Sequence, residues 1–217
     1  MHHVSPATRR LPRFGRYVLF AATGLMCLLG AQDAAAQGIH LRGGLNLSNA
    51  ALDPEPASPL TTKMLRGYNG ALLAELGSGP VRVMIGGGYQ QQGIAVEGGA
   101  TEGDYKLEYA TIPVMISLGP PTVNANATVF LNVGVEPSFL IGSNLPTGGT
   151  VLNKNELRDF DVAMRAELGA ELPLSYSGPS ILLALGYSLG MTDAHRGANE
   201  FRNNTFQGIV GLKFHTF

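Results

Sequence analysis

Residues 159–172 read DFDVAMRAELGAEL, and this stretch decides the fold. Phe160, Val162, Met164, Ala166, Leu168, Ala170 and Leu172 alternate without a break with Asp159, Asp161, Ala163, Arg165, Glu167, Gly169 and Glu171. Wound as a helix, the charges would spread around the cylinder. Extended as a strand, they fall on one face and the apolar residues on the other.

The same period of two recurs outward from this stretch. In IHLRGGLNLS at 39–48, Ile39, Leu41, Leu45 and Leu47 oppose His40, Arg42, Asn46 and Ser48. Comparable runs at 66–76, 81–92, 105–118, 128–141, 180–190 and 204–214 predict eight strands in all. Their connections alternate in length. Short ones lie at Gly77–Pro80, Gly119–Ala127 and Pro173–Pro179, and long polar ones at 49–65, 94–104, 142–158 and 191–203. Eight antiparallel strands joined by alternating short turns and long loops predict an all-β, up-and-down transmembrane barrel with its long loops outside the cell. A soluble β-sandwich has the same periodicity with the faces reversed, so alternation alone leaves both readings open.

Two further features favour the barrel. Residues 1–16 carry Arg9, Arg10, Arg13 and Arg16 and no acid, residues 17–30 (YVLFAATGLMCLLG) are almost wholly apolar, and Ala34 and Ala36 follow at A-x-A spacing. This is the layout of a secretory signal peptide. It predicts a signal at 1–36 cleaved after Ala36, a barrel domain at 37–217, and a destination in the outer membrane. The lone cysteine, Cys27, would leave with the signal, as would four of the 15 basic residues and one of the 16 acids. The mature chain would then carry 11 bases against 15 acids, with no basic block to suggest nucleic acid. Composition points the same way: 45% of residues are hydrophobic and 14% charged, against about 25% charged in soluble domains.

In a barrel that crosses lipid the apolar parity faces outward and the polar parity lines the lumen. The inward row of 159–172 holds Asp161, Arg165, Glu167 and Glu171, and the matching parities elsewhere supply Arg42, Glu75, Arg82, Glu136 and Lys213. Eight strands leave an interior that side chains fill, and buried charges persist when paired. A plugged lumen held by a charge network is the expectation. Around 105–118 the pattern conflicts with itself, because Tyr105, Leu107 and Tyr109 share a parity with Thr111 and Ser117, while Lys106 and Glu108 share one with Ile112 and Val114. A bulge near Ala110, or a strand end rising above the membrane, would reconcile them. Pro113 is also awkward in a central strand.

Catalytic and metal chemistry find little footing. The mature chain has His40, His195 and His215, none with a serine at a telling spacing, and His215 reads as part of a short terminal extension with Thr216 and Phe217. Glu97, Glu102 and Asp104 sit among glycines in a predicted loop without the spacing of a dedicated cation site. Gly86–Gly88 lack the Lys-Ser/Thr of a phosphate loop. No enzyme activity, metal or cofactor is expected.

In order along the chain, GIHLRGGLNLSN (38–49), GYQQQGIAV (88–96), LEYATIPVMISLG (107–119), VFLNVGVEPSFLIGSN (129–144), FDVAMRAELGAEL (160–172), LALGYSLGMTD (183–193) and FQGIVGLKF (206–214) resemble the successive strands of the PorT-like outer-membrane β-barrel proteins of Bacteroidota. The resemblance covers nearly all of the mature chain. Thr111 departs from it, standing where the family carries an acid two residues before the proline. The resemblance implies an outer-membrane barrel with Ile112–Pro113 as a family feature and a C-terminal aromatic, Phe214 or Phe217, as the assembly signal. Its implied partners are outer-membrane lipid, the barrel-assembly machinery and other envelope proteins met through the loops. The expected role is structural or interactive. A secretion-apparatus subunit, then a narrow channel, then a lipid-acting barrel enzyme are the alternatives.

Overall fold

The computed structural model divides the chain into Met1–Asp33 and Ala34–Phe217. It describes residues 36–53, 61–97, 102–120, 127–146, 157–175, 178–193 and 200–215, all in the second unit. The predicted signal peptide, with Ala34, lies outside the described residues; Ala36 opens the first strand. The strands are β1 (Ala36–Asp53), β2 (Thr61–Leu76), β3 (Val81–Glu97), β4 (Gly103–Thr111), β5 (Val114–Leu118), β6 (Thr128–Asn144), β7 (Phe160–Pro173), β8 (Ser180–Gly190) and β9 (Glu200–His215). No helix occurs among the described residues.

Every pairing is antiparallel and the sheet closes on itself. β4 and β5, which do not pair with each other, together bridge β3 to β6; the other strands pair with their sequence neighbours, and β9 returns to β1 along Gly38↔His215 through Asp53↔Glu200. The barrel is therefore eight strands around, with one of the eight interrupted at Ile112–Pro113. Proline has no N–H to give to the ladder, yet the wall stays shut. Ile112 N donates to Pro137 O (2.8 Å) and Gly86 N to Pro113 O (3.3 Å).

The faces are inverted relative to a water-soluble protein. Leu41, Leu45, Leu72, Val83, Val129, Leu168, Leu185, Val210 and Phe214 are exposed, while Arg42, Glu75, Arg82, Glu136, Arg165, Glu167, Glu171 and Lys213 are buried. Outward apolar residues run over Ile39–Leu47 in β1, Ile181–Leu189 in β8 and Phe206–Phe214 in β9. Nine residues of tilted strand, at ~3.3 Å each, rise on the order of 20–25 Å, the height of an outer-membrane apolar band. Aromatic side chains sit on the same outer face: Tyr68 stacks on Tyr89 (centroids 5.6 Å) and Phe139 meets Phe160 (5.3 Å). Leu185→Arg, which puts a charge in this band, should cost about 2–4 kcal/mol in a lipid refolding titration. The same charge is already present at Arg66 and Arg202, outward-facing on strands that continue past the band.

The strands are longer than the alternation predicted. More than half of 49–65 and 94–104, and the edges of 142–158 and 191–203, all predicted as loop, are strand: β1 runs to Asp53, β2 starts at Thr61, β3 reaches Glu97, β4 starts at Gly103, β6 reaches Asn144 and β9 starts at Glu200. Beyond the lipid the outer face no longer needs apolar residues, so the alternation fades although pairing continues.

The conflict at 105–118 resolves the same way. Parity never flips: Tyr105, Leu107, Tyr109, Thr111, Pro113, Met115 and Ser117 all point inward. Lys106 and Glu108 point outward above the band. The bulge expected near Ala110 lies on the partner strand, where β6 carries Ile141 as an extra residue between the pairs Glu108↔Gly142 and Tyr109↔Leu140.

Candidate functional site

The interior holds three layers. Nearest the start of β1 and the end of β9, Glu75 is the hub. Its carboxylate meets His40 Nε2 (3.1 Å), Arg82 Nε (3.1 Å) and Lys213 Nζ (3.0 Å). Lys213 also donates to Glu171 Oε2 at 3.2 Å. Arg82 Nη1 donates to the carbonyl of Gly79 at 3.2 Å, tying this layer to the β2–β3 turn.

Halfway up, Glu167 takes over. It accepts from Arg42 Nη1 (2.7 Å), Arg165 Nε (2.8 Å) and Asn132 Nδ2 (2.8 Å), and Arg165 also donates to Glu136. Arg42, Glu136, Arg165 and Glu167 come from β1, β6 and β7, so the cluster ties across the barrel as well as along its wall. Four bases (Arg42, Arg82, Arg165, Lys213) thus face four acids (Glu75, Glu136, Glu167, Glu171) within ion-pair distance. Buried charge is tolerated when every member has a partner of opposite sign and a hydrogen bond. A cavity of about 10 Å³ lies beside Arg42, Gln90, Thr111 and Arg165, the room of about one water molecule.

Asp161, also predicted for this network, stands apart. It accepts the hydroxyl proton of Thr192 near the far end of β7.

The third layer is apolar. Ala50, Ile94, Val96, Tyr105, Leu107, Tyr109 and Leu157 form a buried cluster, with Leu140 and Leu145 against it. Outside it stand Lys63, Arg66, Glu97, Asp104, Lys106, Glu108 and Arg202. Beyond the band the barrel thus regains the polarity of a soluble protein, apolar within and charged without. Gly93 permits the close approach of β3 to β4 here: its φ is +142°, and an added Cβ would strike the Tyr105 carbonyl.

Alternation placed His40 and Asn46 on the polar face without showing what they bind. His40 links the two charged layers, with its Nδ1 accepting from Arg42 Nη2 at 3.0 Å. Asn46 Nδ2 donates to the carbonyls of Tyr68 (3.3 Å) and Gln91 (3.0 Å), beside the register shift between β2 and β3. His215 belongs to β9 rather than to an extension. It shares the inward parity of Lys213, and its Nε2 lies 3.3 Å from Glu171 Oε1 and 3.1 Å from Ser180 Oγ. That trio is not a nucleophile relay, because serine and carboxylate meet the same ring nitrogen, whereas a relay needs one on each. No group of metal-ligating side chains occurs among the described residues. Phe214 lies on the outer face, 44% exposed, and Phe217 lies outside the described residues.

Among solved structures, the chain is similar to the outer membrane protein OprG from Pseudomonas aeruginosa at 13% identity, covering 83% of this chain and 97% of that one, with a TM-score of 0.48. It is similar to Ail, the attachment invasion locus protein of Yersinia pestis solved with the heparin analogue sucrose octasulfate, at 11% identity over 82% and 98%, with a TM-score of 0.44. No curated protein matches. A closed antiparallel ring, apolar outside and charged within, is accompanied by a family match that spans residues 31–196: the chain belongs to the outer membrane protein beta-barrel domain family.

Proposed function

We propose that this outer-membrane barrel is a closed-lumen protein of the PorT-like kind, exported by a signal peptide at 1–36, whose work is done by contact at its extracellular end. The observation that carries this reading is the balance of the interior: four buried bases on four buried acids, with an apolar cluster stacked above them. A lumen so filled offers ions a path only at the cost of breaking ion pairs in a low dielectric. What remains available to a partner is the charged outer wall beyond the lipid band and the connections that top it. Other envelope proteins are the partners this surface suits, including, from the resemblance at 38–49 and 107–119, those of a secretion apparatus. Phe214, outward on the closing strand, suits recognition by the assembly machinery.

The test has two arms. Purified protein in planar bilayers should show no steady large conductance. On whole cells, a single cysteine at Glu97 should react with an impermeant thiol reagent and one at Ser78, exposed in the β2–β3 turn, should not. Steady conductance would replace this reading with the channel. Labelling at Ser78 alone would invert the topology.

A further inference from the structure

We propose that His40 is an acid-sensitive latch between the two charged layers of the lumen. The inference concerns the fold of the interior and stands whether or not the extracellular end binds a partner. His40 is 2% exposed. Its Nδ1 lies 3.0 Å from Arg42 Nη2. A guanidinium has only donors, so this contact is attractive only while Nδ1 is an unprotonated acceptor. The ring proton then sits on Nε2, which lies 3.1 Å from Glu75 Oε2. In this neutral form the ring joins the Glu75 layer to the Arg42–Glu167 layer.

Protonation reverses one of the two contacts. An Nδ1–H would face a guanidinium, cation against cation. Among the described residues the new charge has only Glu75 to share. Glu75 on β2 already holds Lys213 of β9 and Arg82 of β3 on its other oxygen. Glu171 on β7 is taken by Lys213, and Glu167 on β7 by Arg42 and Arg165. Against four bases and four acids, a charged His40 is a fifth base in a buried interior, and buried charge in excess of its counter-charge is expelled or neutralised. The relief available is for Arg42 to swing away, which parts the two layers.

His215 is the other histidine on this network. Its Nε2 lies 3.3 Å from Glu171 Oε1, away from the Arg42 contact that His40 makes. Histidine is the side chain whose unperturbed pKa lies between pH 5 and 8, so acidification across that window tests the latch.

The experiment is thermal unfolding of the refolded protein in detergent, followed by the gel shift between folded and heated forms at pH 7.5, 6.5 and 5.5. The unmodified protein should lose midpoint temperature steadily across this range. His40→Gln keeps a neutral amide that donates to Glu75 and takes up no proton, so its midpoint should stay flat. His215→Gln should leave the fall in place. A flat profile for the unmodified protein, or an undiminished fall in His40→Gln, overturns the latch. If His40→Gln does not fold, the unmodified protein and His215→Gln still decide: a fall that vanishes in His215→Gln assigns the effect to the wrong histidine.

Discussion

Arg165→Ala should lower the stability of the refolded barrel by about 3–5 kcal/mol, the cost of leaving a buried charge without its partner. Arg165 is 7% exposed and is the counter-charge of two acids. Glu167 keeps Arg42 and Asn132 when Arg165 goes. Glu136, itself fully buried, has no other ion pair among the described residues, so most of the penalty falls on it. Two comparisons separate this cause from mere truncation. Arg165→Ala combined with Glu136→Ala should be less damaging than Arg165→Ala alone, because the stranded carboxylate has gone. Lys63→Ala removes an ion pair of similar length (2.6 Å to Glu97), but both side chains are about half exposed, and such pairs contribute about 0–1 kcal/mol. Equilibrium unfolding in urea or guanidinium with lipid vesicles measures all three. A stability unchanged by Arg165→Ala would mean that water reaches the cluster and screens it.

How much of this was legible beforehand depended on whether one residue type had one meaning along a strand. In 159–172 it did. Most of the segment, from Met164 to Leu172, lies within the apolar band, so alternation translated directly into an outward row (Met164, Leu168) and an inward row (Arg165, Glu167). In 105–118 it did not. The segment runs from the band into water, and the rule linking polarity to direction reverses on the way, so Leu107 points in while Val114 points out. Period two fixes only which residues share a face; which face is which depends on the medium outside, and that changes with height. The same reversal hid the upper halves of β1, β2, β3 and β9, whose polar outward residues looked like loop. His215 was misread for a smaller reason. Its two neighbours look like a tail, and only the pairing Gly38↔His215 places it in the ladder. Asn46 had no signal of its own, because its role depends on a register shift two strands away.

The reversal of polarity with height yields the second large effect, in which two leucines behave oppositely. Leu107 is fully buried in the apolar cluster beyond the band. Leu107→Ala leaves a hole among Ile94, Tyr105 and Tyr109 and should cost about 2–5 kcal/mol, as deletions in a close-packed core do. Leu185 is 60% exposed on the outer wall, where its neighbours are lipid tails that close over a missing isobutyl group. Leu185→Ala should therefore change stability by less than about 1 kcal/mol once the barrel is in a bilayer. The loss at Leu107 should also be local. The ion-paired layers nearer the start of β1 share no side chain with the cluster, so a Leu107→Ala barrel should still run as the compact, unheated species on a gel. Its far end should meanwhile be nicked faster by protease added to whole cells. Equal and small effects at both leucines would mean that the far-end cluster is not a packed core. A larger effect at Leu185 would put the lipid on the other side of the wall.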